Sequence, residues 1–307
     1  MYTYSGTPAG LDASLTAVQV HAAMKSPTVL ARRVRDITHE GFLADWLLTG
    51  RYAIQGGAIA YPTSDTSPYP KDNAEIVAPG SQYALTQMDG GQLAIAQSAK
   101  NGIATHVWDE EISRLLNAPV NDGLSILANG VVRFVDSTAM AVVQSKVAQT
   151  YASQAWSTAA GIVNGVLGAQ AALTNLKAGV NPTAIVLNVT QYSQVMATLA
   201  LAGVLPRENV NANPFVTGNW PNVLGFTWTA SPNAPFADPT MVDRDLLGGM
   251  ADENLQSPEY HKAAGSSVEV AVDRLQGRDG YELRARRVCV PVVTRPWAAI
   301  RITGTGL

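Results

Sequence analysis

The residues best suited to chemistry are four histidines, one cysteine and a close pair of aspartates. His21, His39, His106 and His261 are spread along the chain with no H-E-x-x-H pair. A metal centre or a general base needs such groups converging with partners. Each histidine is therefore expected at a surface or an interface. Cys289 is the only cysteine, which excludes an intrachain disulfide and a cysteine-based zinc site. Asp243 and Asp245 could be drawn as a metal pair, but no third carboxylate or histidine adjoins them, and hard cations take six or more oxygens. Gly161, Gly165 and Gly168 miss the G-x-G-x-x-G spacing and read as helix-packing positions. There is no G-x-S-x-G elbow and no phosphate-binding G-x-x-x-x-G-K-[ST] loop. Asn188-Val189-Thr190 matches a glycosylation sequon, which is idle without export. The expectation is a protein with no catalytic, metal-binding or cofactor-binding residues, and not an enzyme.

Composition narrows the alternatives. With 47% hydrophobic and 15% charged residues, the chain is suited to a packed fold and to burial against copies of itself. A net charge of −3 gives no overall basic character for tight generic nucleic-acid binding. Arg32, Arg33 and Arg35 form one local basic cluster, either a solvated helix face or a contact with an acidic neighbour or packaged nucleic acid. No continuous apolar run reaches the length of a membrane span, and no signal peptide is evident, so a soluble, unexported chain is expected.

The element that could organise the rest runs from Trp108 to Val147. After Asn117-Ala118-Pro119, residues Val120, Leu124, Leu127, Val131, Phe134, Val135 and Val142 recur at helical spacing. Pro119 suits a first turn, and Lys146 complements the dipole at the other end. At about 1.5 Å per residue the helix reaches roughly 40 Å, with Leu124, Leu127, Val131 and Phe134 expected in its core.

Five segments hang on this helix. Residues 1–49 read as an N-terminal arm, with a short helix over Leu15–Met24 and an apolar anchor at Phe42, Trp46, Leu47 and Leu48. Residues 50–98 read as a long two-stranded excursion around a breaker-rich tip with Pro62, Pro68 and Pro70; strand is expected near Ile54, Tyr61, Ile76, Leu85 and Ile95. Residues 99–154 contain the long helix. Residues 155–263 form an α/β unit. It has a helix over Trp156–Lys177 ended by Gly179, a strand over Thr183–Asn188, a helix from Gln191 capped by Thr190, and strands near 224–230, 240–242 and 246–247. Residues 264–307 are closing strands, with Pro291 expected on an edge or at a bulge.

This order of parts resembles tailed-bacteriophage major capsid proteins of the Hong Kong 97 fold, which encapsulins share. The resemblance rests on the loop 51–98, Lys100-Asn101-Gly102 leading into Val107-Trp108-Asp109-Glu110-Glu111, the helix 120–147, Pro182 to Asn188, and Gly277-Arg278-Asp279-Gly280-Tyr281 in the closing stretch. It implies an α+β capsid fold: an N-terminal arm, an extended β E-loop, a P-domain with a long spine helix and long antiparallel strands, and an inserted α/β A-domain. It implies an icosahedral shell of hexamers and pentamers around double-stranded DNA, found in the virion and assembled in the host cytoplasm. Scaffolding, portal or decoration proteins are implied partners; packaged DNA would be touched weakly and without sequence preference, and a membrane not at all. E-loop residues Tyr61, Pro68, Tyr69, Lys71 and Ile76, and arm residues Arg32, Arg33, Arg35 and Trp46, are expected to touch neighbouring subunits. The alternatives are an encapsulin-type shell around an enzyme cargo, or an enzyme with a site in 155–263. Some family members cross-link a loop lysine to an asparagine in the late strands. Lys71 is the only lysine in 51–98 and no asparagine follows Asn254, so no such bond is expected.

Overall fold

In a computed structural model of the chain, the described residues are 15–38, 42–64, 74–83, 85–86, 91–203, 222–234, 236–262, 265 and 267–307. Helix α5 (Ala118–Lys146, 29 residues) is the spine, preceded by α4 (Asp109–Leu115). By length and composition alone α5 could cross a membrane. Its apolar face is instead taken up inside the protein: Leu124, Leu127, Val131, Val135, Met140 and Val143 are buried. That face lies on β4 (Ala99–Trp108) and β13 (Gly280–Val293), which pair antiparallel from Gly280↔Trp108 to Cys289↔Ala99. Two glycines permit the close approach. A Cβ on Gly123 would lie 3.3 Å from Thr105 Cγ2, and one on Gly130 3.1 Å from Ile103 Cδ1. Each costs about 1 kcal/mol of helix propensity, and packing against the sheet offsets it.

β13 is the hub of the first sheet. β12 (Glu269–Leu275) and β11 (His261–Lys262) continue it on one side; β10 (Gly248–Glu253) and β1 (Gly50–Ile54) extend it from the far half of β13. Pro291 lies beyond the last β4 pair, opposite Met250 of β10, where its missing N–H faces no described strand on the other side.

The second sheet has the order β5-β14-β9-β6-β8-β7, built from Thr150–Ala152, Ala299–Thr303, Thr240–Val242, Ala184–Leu187, Phe226–Ala230 and Asn222–Val223. Helices α6 (Ala159–Asn175) and α7 (Val189–Leu201) accompany it, and one apolar core joins both sheets. A two-stranded ribbon, β2 (Ala58–Thr63) with β3 (Gln92–Gln97), stands apart.

Several expectations change. The arm is largely folded onto its own subunit: Val20 and Met24 of α1 (Ala17–Met24), Leu30 and Val34 of α2 (Pro27–Thr38), and Leu43, Ala44 and Leu47 of α3 (Leu43–Leu47) are buried in the main core. Sheet membership cuts across the segments. β1 joins the first sheet and not the ribbon, β10 leaves the 155–263 segment for the first sheet, and β14 leaves the closing strands for the second. Residues 75–77 and the described residues 83 and 85 form no strand, and Ile76, Tyr83 and Leu85 are exposed. Leu246 and Leu247 end a one-turn helix, Arg244–Leu247, after Asp243 accepts from Asp245 N (3.1 Å). The cap of α7 is Asn188, not Thr190: its Oδ1 accepts from Gln191 N at 2.8 Å, and the Gln191 side chain accepts from Asn188 N at 3.2 Å, a reciprocal capping box. Helix α6 stops at Asn175, with Lys177 already at φ 52 before Gly179.

Candidate assembly surfaces

Among the described residues no three metal-ligating side chains cluster. Asp243, one of the pair considered for a metal, has its carboxylate used by Asn181 N (2.8 Å) and Asp245 N (3.1 Å). What the surface offers instead is uncovered apolar area.

The ribbon is fixed at its root. Glu253 accepts from Gly57 N at 3.0 Å and from Ser98 Oγ at 2.5 Å, and Ser64 N donates to Thr294 O. Ile59 and Tyr61 pack on a small separate cluster of Ile54, Ala251 and Val292. Tyr61, expected at a neighbour, is thus partly used by its own chain, and burial raises its hydroxyl pKa. Beyond the root, Leu93 and Ile95 are each 71% exposed, on a ribbon with no described third strand, and Ile76, Tyr83 and Leu85 are also exposed. A lone two-stranded ribbon is marginal in water, and clustered apolar exposure marks interaction sites. Pro68, Tyr69 and Lys71 lie outside the described residues.

A second surface lies where β4 meets α5. Lys100, Asn101, Gly102, Ile103, Gly130, Val131 and Phe134 line an open groove of about 310 Å³. Phe134, expected in the core of α5, is 53% exposed. It sits a turn after Gly130 and lines the groove with Ile103 of β4.

On the arm, Arg32 is exposed and Arg33 is half-buried. Arg35 pairs with Asp36 at 2.6 Å. Trp46 is held within the subunit. The Arg244 guanidinium lies 4.0 Å from its ring centroid, and Arg244 Nε donates to its carbonyl at 2.8 Å. One face of the Trp46 ring is therefore unavailable to a neighbour.

The least legible feature in the sequence is a buried charge cluster where arm, spine and first sheet meet. Arg287 on β13 is fully buried. It donates through both terminal nitrogens to Asp45 of α3 (2.8 Å each), and through Nε to Asp252 of β10 (2.9 Å). Its guanidinium also lies 4.8 Å from the Phe42 ring centroid. Asp136 of α5 accepts from Leu43 N (3.1 Å) and Ala44 N (2.9 Å), the first amides of α3. Desolvation raises the Asp136 pKa to about 6, against the lowering effect of those two amide bonds. One signal could have found it: Asp136 sits on the apolar face of α5, in line with Ala139, Met140 and Val143. A smaller clasp joins α4 to β12, with Arg274 bidentate on Asp109 at 2.6 Å.

No curated protein matches the sequence. A phage capsid protein family model matches residues 92–302, over half of the chain. Solved structures similar to the chain include the virus-like particle of Pyrococcus furiosus, at 12% identity and TM-score 0.56, covering 89% of this chain and 97% of that one. The capsid of cyanophage P-SCSP1u is similar at 11% identity and TM-score 0.53, covering 82% and 85%. The SrpI encapsulin of Synechococcus elongatus is similar at 11% identity and TM-score 0.53, covering 83% and 84%. At such identities the likeness is one of fold, the Hong Kong 97 type that the spine helix, the β13 hub and the projecting ribbon display. The family match over 92–302 places the chain more narrowly: it belongs to the phage capsid protein family and is a subunit of the virion shell.

Proposed function

We propose that the chain is the repeating subunit of a tailed-phage shell, closing as hexamers and pentamers around double-stranded DNA in the host cytoplasm, with no enzymatic role. The supporting observation is the ribbon, whose Leu93 and Ile95 are left in water by their own subunit. In this reading the ribbon of one subunit lies over the groove of Ile103 and Phe134 on the next. The exposed Arg32 offers at most a weak, sequence-independent phosphate contact.

Electron microscopy of the purified protein tests the assembly. Closed particles or capsomer rings are expected; a stable monomer at high concentration overturns it. Nuclease-protected DNA inside the particles supports the virion reading, and a co-purifying enzyme cargo in its place supports an encapsulin-type shell.

A double substitution isolates the ribbon. Leu93→Asp with Ile95→Asp touches two exposed positions, so monomer stability should change by less than about 0.5 kcal/mol at each. Particle yield by sedimentation should nevertheless fall at least tenfold; normal assembly rules out the ribbon contact. Denaturing gels of assembled particles should show a single band at the 32.4 kDa chain mass, since Lys71 has no asparagine partner beyond Asn254. A ladder of covalent oligomers contradicts this.

A further inference from the structure

We propose that Glu253 is a positioning residue for assembly: with Thr294 near the other end of β10, it seats the ribbon on its own subunit, so that Leu93 and Ile95 are aimed before any neighbour is met. The purpose of that aim rests on the shell reading above; the seat itself is a property of the single chain.

The chain turns back at the root of the ribbon. Gly56 (φ 72) and Gly57 (φ 81) lie between the bridged residues Gln55 and Ala58. Two successive left-handed residues make the tight turn that reverses a chain. β2 therefore leaves β1 and returns along the sheet. Its two ends are held near the two ends of β10. Glu253 is the last residue of β10, and its Oε1 accepts from Gly57 N at 3.0 Å. Thr294 follows Val293, which pairs with Gly248 at the start of β10, and its carbonyl accepts from Ser64 N at 3.0 Å.

One carboxylate holds both strands. Glu253 Oε2 accepts from Ser98 Oγ at 2.5 Å, just after β3, and Ser98 N donates to Gly57 O at 2.9 Å. Hydrogen bonds to a carboxylate are stronger than neutral ones, so this bridge fixes where the two strands enter the ribbon.

The face between the anchors is fitted to the sheet. Directly paired residues of an antiparallel ribbon share a face. Ile59↔Ala96 and Tyr61↔Ala94 therefore point one way, and Ala60↔Ile95 and Pro62↔Leu93 the other. Ile59 and Tyr61 pack on Ile54, Ala251 and Val292, and Ala94 and Ala96 beside them are half-buried. The same alternation turns Leu93 and Ile95 outward. The side of the ribbon left for a neighbour is thus set by the side that meets its own sheet.

Hydrogen–deuterium exchange on the full chain, kept unassembled by dilution, reads the seat in peptides covering 58–63 and 92–97. An unseated ribbon is marginal in water and would exchange at nearly the rate of unstructured chain. The seated ribbon should exchange at least about tenfold more slowly. Glu253→Ala should speed exchange about three- to tenfold in these peptides, with peptides from β13 and the Tm unchanged. Glu253→Gln keeps an acceptor for Gly57 N and should recover most of the protection. Ribbon peptides that exchange as unstructured chain in the wild type, or at the wild-type rate in Glu253→Ala, overturn the seat. Assembled particles give a readout that a merely stabilising contact would not move. Glu253→Ala particles should show a broader diameter distribution by electron microscopy at unchanged subunit Tm; a wild-type distribution overturns the positioning role. If the wild type forms no particles, the shell reading fails, and the exchange data still decide the seat.

Discussion

Replacing Leu127 with aspartate unfolds the subunit, and no particles form. Leu127 is fully buried on the face of α5 that meets the sheet. Truncating a buried leucine alone costs about 2–5 kcal/mol. Aspartate adds an unpaired carboxylate in an apolar site, where no partner is placed to receive it, at a further cost of several kcal/mol. Together these approach the whole stability of a domain, about 5–15 kcal/mol. Circular dichroism and solubility should show loss of the folded subunit. A Leu127→Asp chain that remains folded but fails to assemble would mean that α5 is a surface element and not the core.

Arg287→Ala is the second large effect. It leaves Asp45 and Asp252, both half-buried, without their common cation. Breaking a fully buried pair from one side costs about 3–5 kcal/mol; here the two remaining carboxylates are 24% and 20% exposed, so the loss should fall at or below the lower end of that range. Chemical denaturation should give that loss. The triple variant Arg287→Met, Asp45→Asn, Asp252→Asn removes the charges together and should recover most of it. If the triple variant is as unstable as Arg287→Ala, then packing around Arg287, and not charge, sets the cost.

The spine helix and the long closing strands were legible because each leaves a local period in the sequence. Val120, Leu124, Leu127 and Val131 show the helical repeat, and Val268, Val270 and Val272 the strand repeat. What escaped was non-local. β1 finds β10 about two hundred residues later, and β14 crosses into the second sheet between β5 and β9. No periodicity reports which strand a strand will choose. Phe134 fits the helical repeat, yet it is 53% exposed. The Asp45–Arg287–Asp252 contacts join residues that are ordinary surface types taken singly. The candidate surfaces were legible only as a need: an apolar loop with too little of its own chain to cover it.

The crossing of β14 bears on how the subunit is made. Residues 299–303 are the inner partner of both Thr150–Ala152 and Thr240–Val242. The second sheet therefore stays split on the ribosome until these late residues have emerged, however long β5 and β9 have been waiting. Contacts of such sequence separation are slow to form, and an incomplete sheet leaves its edges open in the meantime. A chain cut before Ala299 lacks the strand that joins Thr150–Ala152 to Thr240–Val242.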